Sequence, residues 1–259
     1  MSDDHLHAPQ PDPPAISGLR ARVSVVVLAL ALGAGAACLI VALPGFEPDP
    51  TSGPALAAVW VAIGFAIAEY TVFRFLFKRE LIAFSLSEIP LALSLLWLAP
   101  GLGLLARAIG TLPVLLAVRR PAVHKLAFNL GMYAFEMAFA YLVFRGFAQQ
   151  WGDGNTQLVV AAIVATGLAG IVSSMLVSVA ISRFEGDLWR RISSELRLVW
   201  WLFVVNATLA GMVLGLALIS PWLVVLAALP LGLLWYVIKA YGAIDQQLRD
   251  LDAVHGFTG

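Results

Sequence analysis

The stretch VSVVVLALALGAGAACLIVAL, residues 23–43, contains no charged side chain and is long enough to cross the hydrocarbon core of a membrane. Similar apolar runs recur along the chain, and 61% of its 259 residues are hydrophobic while only 12% are charged. Soluble domains hold about 25% charged residues. The sequence therefore predicts an all-α, polytopic membrane helix bundle.

Eight apolar segments are each predicted to form a transmembrane helix. They lie at residues 23–43, 55–73, 81–98, 101–118, 126–147, 157–181, 198–219 and 221–238. Residues 1–22 are polar and rich in proline, so we expect a disordered cytoplasmic tail. Because the first apolar run continues past Cys38, the only cysteine, we interpret it as a retained helix, with a cleaved signal peptide as the alternative.

The basic residues predict how the helices are oriented. With the amino terminus in the cytoplasm, every Lys and Arg falls in a cytoplasmic segment except Arg107, inside the fourth helix, and Arg145, at an external end. This asymmetry places both termini in the cytoplasm and the protein in the inner, cytoplasmic membrane. Equal numbers of basic and acidic residues, 16 each, give no reason to expect a nucleic-acid partner, so the lipid bilayer is the expected surrounding.

Two cytoplasmic helices are predicted outside the bundle. Residues 182–197 carry apolar side chains every four residues opposite several arginines, which is typical of a helix on the inner leaflet or against a cytoplasmic partner. Residues 239–259 form a predicted exit helix with the spacing of a short coiled coil, which would allow a homodimer; an ordinary amphipathic tail is the alternative. Its seam, interpreted as the signal output, includes Tyr241, Ile244, Leu248 and Leu251.

Three ionisable side chains lie deep inside predicted helices: Glu88, Arg107 and Glu136. Burying a charge in a membrane costs about 3 kcal/mol or more, so such residues are functional candidates. Counted along the helices, Arg107 and Glu136 lie at similar depths and are predicted to pair. Glu88 is then the unpaired acid, and burial favours its neutral form.

Neighbouring polar residues extend this site. Ser85 shares a helical face with Glu88, while Asn129 and Tyr133 precede Glu136 at helical spacing. The predicted residues for a small ligand or ion are therefore Ser85, Glu88, Arg107, Asn129, Tyr133 and Glu136. A purely structural polar cluster that binds nothing is the alternative.

Two other residues near this site have predicted roles. Pro90 removes a backbone donor and is predicted to kink the third helix and act as its hinge. Glu69, near the cytoplasmic end of the second helix, is expected to extend toward Arg74 and Lys78.

The sequence lacks the motifs of common enzyme sites. All four histidines, His5, His7, His124 and His255, lie outside the predicted helices, and no phosphate-binding glycine loop or metal-ligand spacing occurs. We therefore predict no enzyme activity, no cofactor and no metal site within these residues.

The segments FSLSEIPLALSLLWLAPGLGLLARAIG (84–110) and RRPAVHKLAFNLGMYAFEMAFAYLVFR (119–145) carry the motifs SLSEIP, A-R-x-x-G, R-R and K-x-x-F-N. They resemble the amino-terminal membrane sensor region of bacterial cyclic-di-GMP signalling proteins, particularly actinobacterial-type GGDEF diguanylate cyclases. The resemblance implies roles for Ser85, Ser87, Glu88, Pro90, Arg107, Gly110, Lys125, Phe128 and Asn129. It also implies an exit helix that leads to a cytoplasmic output domain, although the chain contains no GGDEF or EAL string.

The functional hypothesis is a sensory module that binds a small molecule or ion in its polar interior and passes the signal through the exit helix. A transporter or substrate-capture component is the main alternative, because broken helices and polar groups near the membrane centre are typical of transporters. A structural membrane scaffold is the second alternative.

Overall fold

A computed structural model describes residues 15–42, 54–77, 80–84, 86–151, 154–185 and 205–227, with scattered residues up to 240. Most of these residues are helical, which confirms the predicted helical class. The helices are α1 (Ala15–Val41), α2 (Pro54–Tyr70), α3 (Glu88–Trp97), α4 (Pro100–Val114), α5 (Val123–Trp151), α6 (Asn155–Glu185) and α7 (Val205–Ile219). A π-helical turn, Leu115–Arg119, extends α4, and a 3-10 turn, Pro221–Ala227, follows α7.

Four of the described helices are long and apolar enough to cross a membrane. They span Gly18–Val41, Pro100–Arg119, Val123–Trp151 and Asn155–Phe184, and the remaining three are shorter apolar helices. Large apolar side chains point outward from this bundle, such as Leu30 at 69% exposure and Ile67 at 58%. An exposed apolar surface of this extent is typical of a membrane protein.

The third predicted helix differs most from the observed structure. Its first part is a strand, β2 (Glu80–Phe84), which pairs in antiparallel register with β1 (Phe73–Phe77), so that Phe73 lies opposite Phe84. Helix α3 begins only at Glu88, and Pro90 lies in its first turn, where the missing N–H costs little. The predicted kink inside a continuous helix is therefore wrong.

Close approaches between helices define the packing. Helix α1 lies against α5, where Gly131 meets the backbone of Ala29, and α2 lies against α4, where Gly110 meets the carbonyl of Ala62. Helices α2 to α7 share one apolar core, and a second core joins α1, α5 and α6. This arrangement brings the polar residues of α3, α4 and α5 into the interior of the bundle.

Two predicted cytoplasmic regions lie almost entirely outside the described residues. They are the interfacial helix at 182–197 and the exit helix at 239–259, with Tyr241, Ile244, Leu248 and Leu251. The first residues of α1, from Ala15, belong to the segment predicted as a disordered tail, so the helix starts earlier than expected. The predicted helix at 221–238 begins with the 3-10 turn.

Candidate functional site

The side chains of Arg107 on α4 and Glu136 on α5 meet inside the bundle. Arg107 Nη2 donates to Glu136 Oε2, and the two side chains are only 2% and 7% exposed. This contact confirms the pairing predicted from their depths. The guanidinium carbon also lies 5.1 Å from the ring centre of Phe65 and 4.6 Å from that of Tyr133. Aromatic faces attract a cation, so Arg107 is held by one carboxylate and two rings.

Gly110 allows α4 to come close enough for these contacts. A Cβ atom at this position would overlap the carbonyl oxygen of Ala62 and would lie 2.9 Å from Phe65 Cβ. The glycine therefore lets α2 place Phe65 beside Arg107, which lies one turn earlier on α4. Thr111 closes the same turn, since its Oγ1 donates to the Arg107 carbonyl at 2.9 Å.

Glu88 enters the site from the start of α3. Its carboxylate is hydrogen-bonded to the Asn206 side chain of α7, and both Glu136 and Arg107 are close enough to act on it electrostatically. Helix α6 is also near, since a Cβ on Gly170 would lie 3.7 Å from Glu88 Oε1. We call Glu88, Arg107, Glu136 and Asn206 the central cluster, which is formed by four different helices.

The central cluster has unused hydrogen-bonding capacity. Among the residues that the structure describes, the buried atoms Glu88 Oε2, Arg107 Nε and Arg107 Nη1 have no hydrogen-bond partner. Leaving a buried polar group unsatisfied costs about 1–3 kcal/mol. Together with Asn206 Oδ1, which also accepts no hydrogen bond from a described residue, these atoms offer two donors and two acceptors to a small polar species within the cluster.

A second cluster, Glu69, Arg119 and Tyr133, lies beside the first. Arg119 Nε is 3.2 Å from Glu69 Oε1, and Arg119 Nη2 donates to the Glu69 carbonyl at 2.7 Å. Tyr133 donates to Glu69 Oε2 at 2.9 Å while its ring faces Arg107, so it contacts both clusters. Glu69 is only 5% exposed and is engaged by Arg119 and Tyr133, whereas its predicted partners, the side chains of Arg74 and Lys78, lie outside the part that the structure describes.

The other predicted residues lie around these clusters rather than inside them. Asn129 is half-buried and lies one turn before Tyr133 on α5. Phe128 is buried in the core between α1 and α5, and Lys125 is exposed at the start of α5. Ser87 is the N-cap of α3, while Ser85 lies outside the described residues.

Three contributors were not predicted from the sequence. Asn206 is a single amide in the apolar run WLFVVNATLAG, and an uncharged residue does not stand out in a search for buried charges. Arg119 was counted with the cytoplasmic charges, because it sits at the end of its helix. Phe65 is one apolar residue among many, and only its position over Arg107 distinguishes it.

The acidic side chains of the central cluster are Glu88 and Glu136. Within the described ranges, no group of three or more His, Cys, Asp or Glu side chains could hold a metal ion. Comparison of the chain with known protein families, curated proteins and solved structures gave no match. The function is therefore inferred from the residues of the two clusters.

Proposed function

We propose that the chain is a membrane-embedded sensory module whose central cluster binds one positive charge, as a proton or a monovalent cation, at Glu88. This proposal rests on the number of acidic and basic side chains in the central cluster. Two carboxylates, Glu88 and Glu136, share one guanidinium, Arg107. Arginine keeps its charge in proteins, and it is already bound to Glu136.

The groups facing Glu88 leave its charge uncompensated. Helix α4 contributes Arg107, α5 contributes Glu136, α7 contributes the neutral Asn206, and α6 approaches with Gly170. On α2, the acid Glu69 is engaged by Arg119 in the second cluster. Arg107 is the one cation among the described buried residues, so an ionised Glu88 would leave one net negative charge in a medium of low dielectric.

Sequence features support the proposed output through the exit helix. The apolar runs of the sequence support eight membrane segments, and the distribution of basic residues supports cytoplasmic termini in an inner-membrane protein. The resemblance to diguanylate cyclase sensor regions supports an output through the exit helix at 239–259 to a cyclase-like domain. Binding of a proton or cation at Glu88 would move the start of α3. Because Asn206 and Glu136 interact with Glu88, this movement would alter the bundle that leads to the exit helix.

Infrared difference spectroscopy on the whole chain in lipid nanodiscs tests the binding step. Wild-type protein should show the band of one protonated carboxyl that is absent from Glu88→Gln. Glu136→Gln should lose the band too, because Glu88 would then have Arg107 to itself and would ionise. Glu47→Gln, which lies between α1 and α2, is the control and should keep the band.

A titration with sodium chloride distinguishes a bound proton from a bound monovalent cation. If a cation replaces the proton, sodium chloride should reduce the carboxyl band while choline chloride does not, with one sodium bound per chain. The proposal would be contradicted if the wild-type protein bound no cation and also showed no protonated-carboxyl band that disappears in Glu88→Gln.

A transporter is the second candidate, and helix α3 favours it. Its ten residues span about 15 Å, half of the roughly 30 Å hydrocarbon core, and it starts at Glu88, whose Oε2 atom is buried. Half-helices that end at a binding site are typical of secondary transporters. Proteoliposomes with an internal pH or sodium indicator decide between the candidates: flux lost in Glu88→Gln indicates transport, whereas occupancy without flux supports the sensor.

A further inference from the structure

Tyr133 of α5 links the two clusters through two different contacts. Its hydroxyl donates to Glu69 Oε2 at 2.9 Å, and the centre of its ring lies 4.6 Å from the guanidinium carbon of Arg107. The hydroxyl bond fixes where the ring lies, and the ring attracts the cation. A change at Glu69 is therefore transmitted to Arg107 through one side chain.

Glu69 itself is held in place from two directions. Arg119 Nε lies 3.2 Å from Glu69 Oε1, and Arg119 Nη2 donates to the Glu69 carbonyl at 2.7 Å, which leaves Oε2 for Tyr133. Phe65, whose ring also contacts Arg107, lies one turn earlier on α2. One face of α2 thus positions both aromatic rings, Phe65 directly and Tyr133 through its hydroxyl.

Arg107 lies near two carboxylates but is bonded to one of them. Its Nη2 donates to Glu136, while Nε and Nη1 have no hydrogen-bond partner among the described residues. Glu136 acts more strongly on Glu88 than Arg107 does. The other described neighbours of Glu88 are neutral, Gly170 of α6 and Asn206 of α7, and the acid of α2 belongs to the second cluster. Arg107 is thus the one described group near Glu88 that would compensate its charge by turning toward it.

We propose that Tyr133 is a positioning residue that holds Arg107 on Glu136 and away from Glu88, so that the second cluster sets how tightly Glu88 holds its proton or cation. This inference rests on the proposed binding at Glu88 and adds the contact that regulates it. Without the anchored ring, the guanidinium would turn its unused donors toward Glu88 and compensate its charge. Glu88 would then hold a proton or a cation less tightly.

The pH midpoint of the Glu88 carboxyl band, measured in nanodiscs, tests this role. Tyr133→Phe keeps the ring and loses the hydroxyl, so the midpoint should fall by about one pH unit. If sodium occupies Glu88, the sodium concentration at half-saturation should instead rise by about tenfold. Tyr141→Phe is the matched control on the same helix, since that buried hydroxyl donates to the carbonyls of Ser94 and Leu98 at 2.8 and 3.0 Å. It should leave the midpoint unchanged.

Two variants of Glu69 test whether Tyr133 acts through this residue. Glu69→Leu removes the anchor of the hydroxyl and should shift the midpoint as far as Tyr133→Phe does. Combining the two changes should add no further shift, because both remove the same contact. Glu69→Gln keeps a hydrogen-bonding partner for Tyr133 and should restore the midpoint to near the wild-type value. If Glu69→Gln shifted it as far as Glu69→Leu, the charge of Glu69 would be responsible, which contradicts the proposal.

The ¹⁵N NMR resonance of Arg107 Nε reports the position of the guanidinium whether or not Glu88 is occupied. It should move in Tyr133→Phe and stay in place in Tyr141→Phe. An unmoved resonance in Tyr133→Phe, or equal midpoints in Tyr133→Phe and wild type, would overturn the positioning role, and so would equal shifts in Tyr133→Phe and Tyr141→Phe. A wild-type chain with neither proton nor cation at Glu88 would overturn the proposed function instead, while the resonance still decides whether Tyr133 positions Arg107.

Discussion

Replacing Arg107 by Met should destabilise the folded protein by about 3–5 kcal/mol, because Glu136 would then be buried without its cation. The Arg107 and Glu136 side chains are both almost fully inaccessible, so neither can turn to solvent. The variant also loses the guanidinium from between the rings of Phe65 and Tyr133. The free energy of unfolding, measured by denaturation in mixed micelles, gives the size of the loss.

Two further variants test whether the loss of stability comes from the buried ion pair. Arg183→Met removes an exposed arginine at the end of α6 and should change stability by no more than about 0.5 kcal/mol. The double variant Arg107→Met with Glu136→Met should recover most of the loss, since apolar side chains often replace a buried ion pair at little cost. Equal effects of Arg107→Met and Arg183→Met would show that the pair is not buried in the folded protein.

Gly110→Ala should destabilise the protein by about 1–3 kcal/mol, because one added methyl group forces α2 and α4 apart. The new Cβ would overlap the Ala62 carbonyl, which is backbone and cannot rotate away. Separation of the two helices would also move Phe65 from Arg107. Thermal unfolding in the same detergent, followed by tryptophan fluorescence, measures the effect.

Gly101→Ala is the matched control on the same helix. A Cβ at Gly101 meets no atom within 4 Å, so this change should be neutral or slightly stabilising. If both alanine variants have the same stability, the close approach of α2 to Gly110 is not present in the folded protein.

The Arg107–Glu136 pair was predictable because helical rise converts sequence position into membrane depth. Few charges occur inside the apolar segments, so depth alone left Glu136 as the best partner for Arg107. Membrane depth could not identify the partner of Glu69, which is Arg119, 50 positions further along the chain. At the end of a helix, a charge can turn either to the solvent or to the interior, and the sequence does not distinguish the two.

The environment of Glu88 could not be derived from hydropathy. The run FRFLF, residues 73–77, alternates between phenylalanine and other residues, a pattern that suits a strand. It pairs with ELIAF, residues 80–84, which continues into a stretch apolar enough for a helix. Short apolar runs are ambiguous between the two. As a result, the start of α3 and the position of Pro90 in its first turn became apparent only from the structure.

Hydrogen exchange measured by mass spectrometry tests most directly whether the central cluster controls the exit helix. The whole chain in nanodiscs is labelled at pD values above and below the titration of the Glu88 carboxyl band, with labelling times corrected for intrinsic exchange. The sensor account predicts a change in exchange within residues 239–255 in wild type and in Glu47→Gln, and none in Glu88→Gln. An identical response in wild type and Glu88→Gln, or no response while the band titrates, would contradict it and indicate a purely structural cluster.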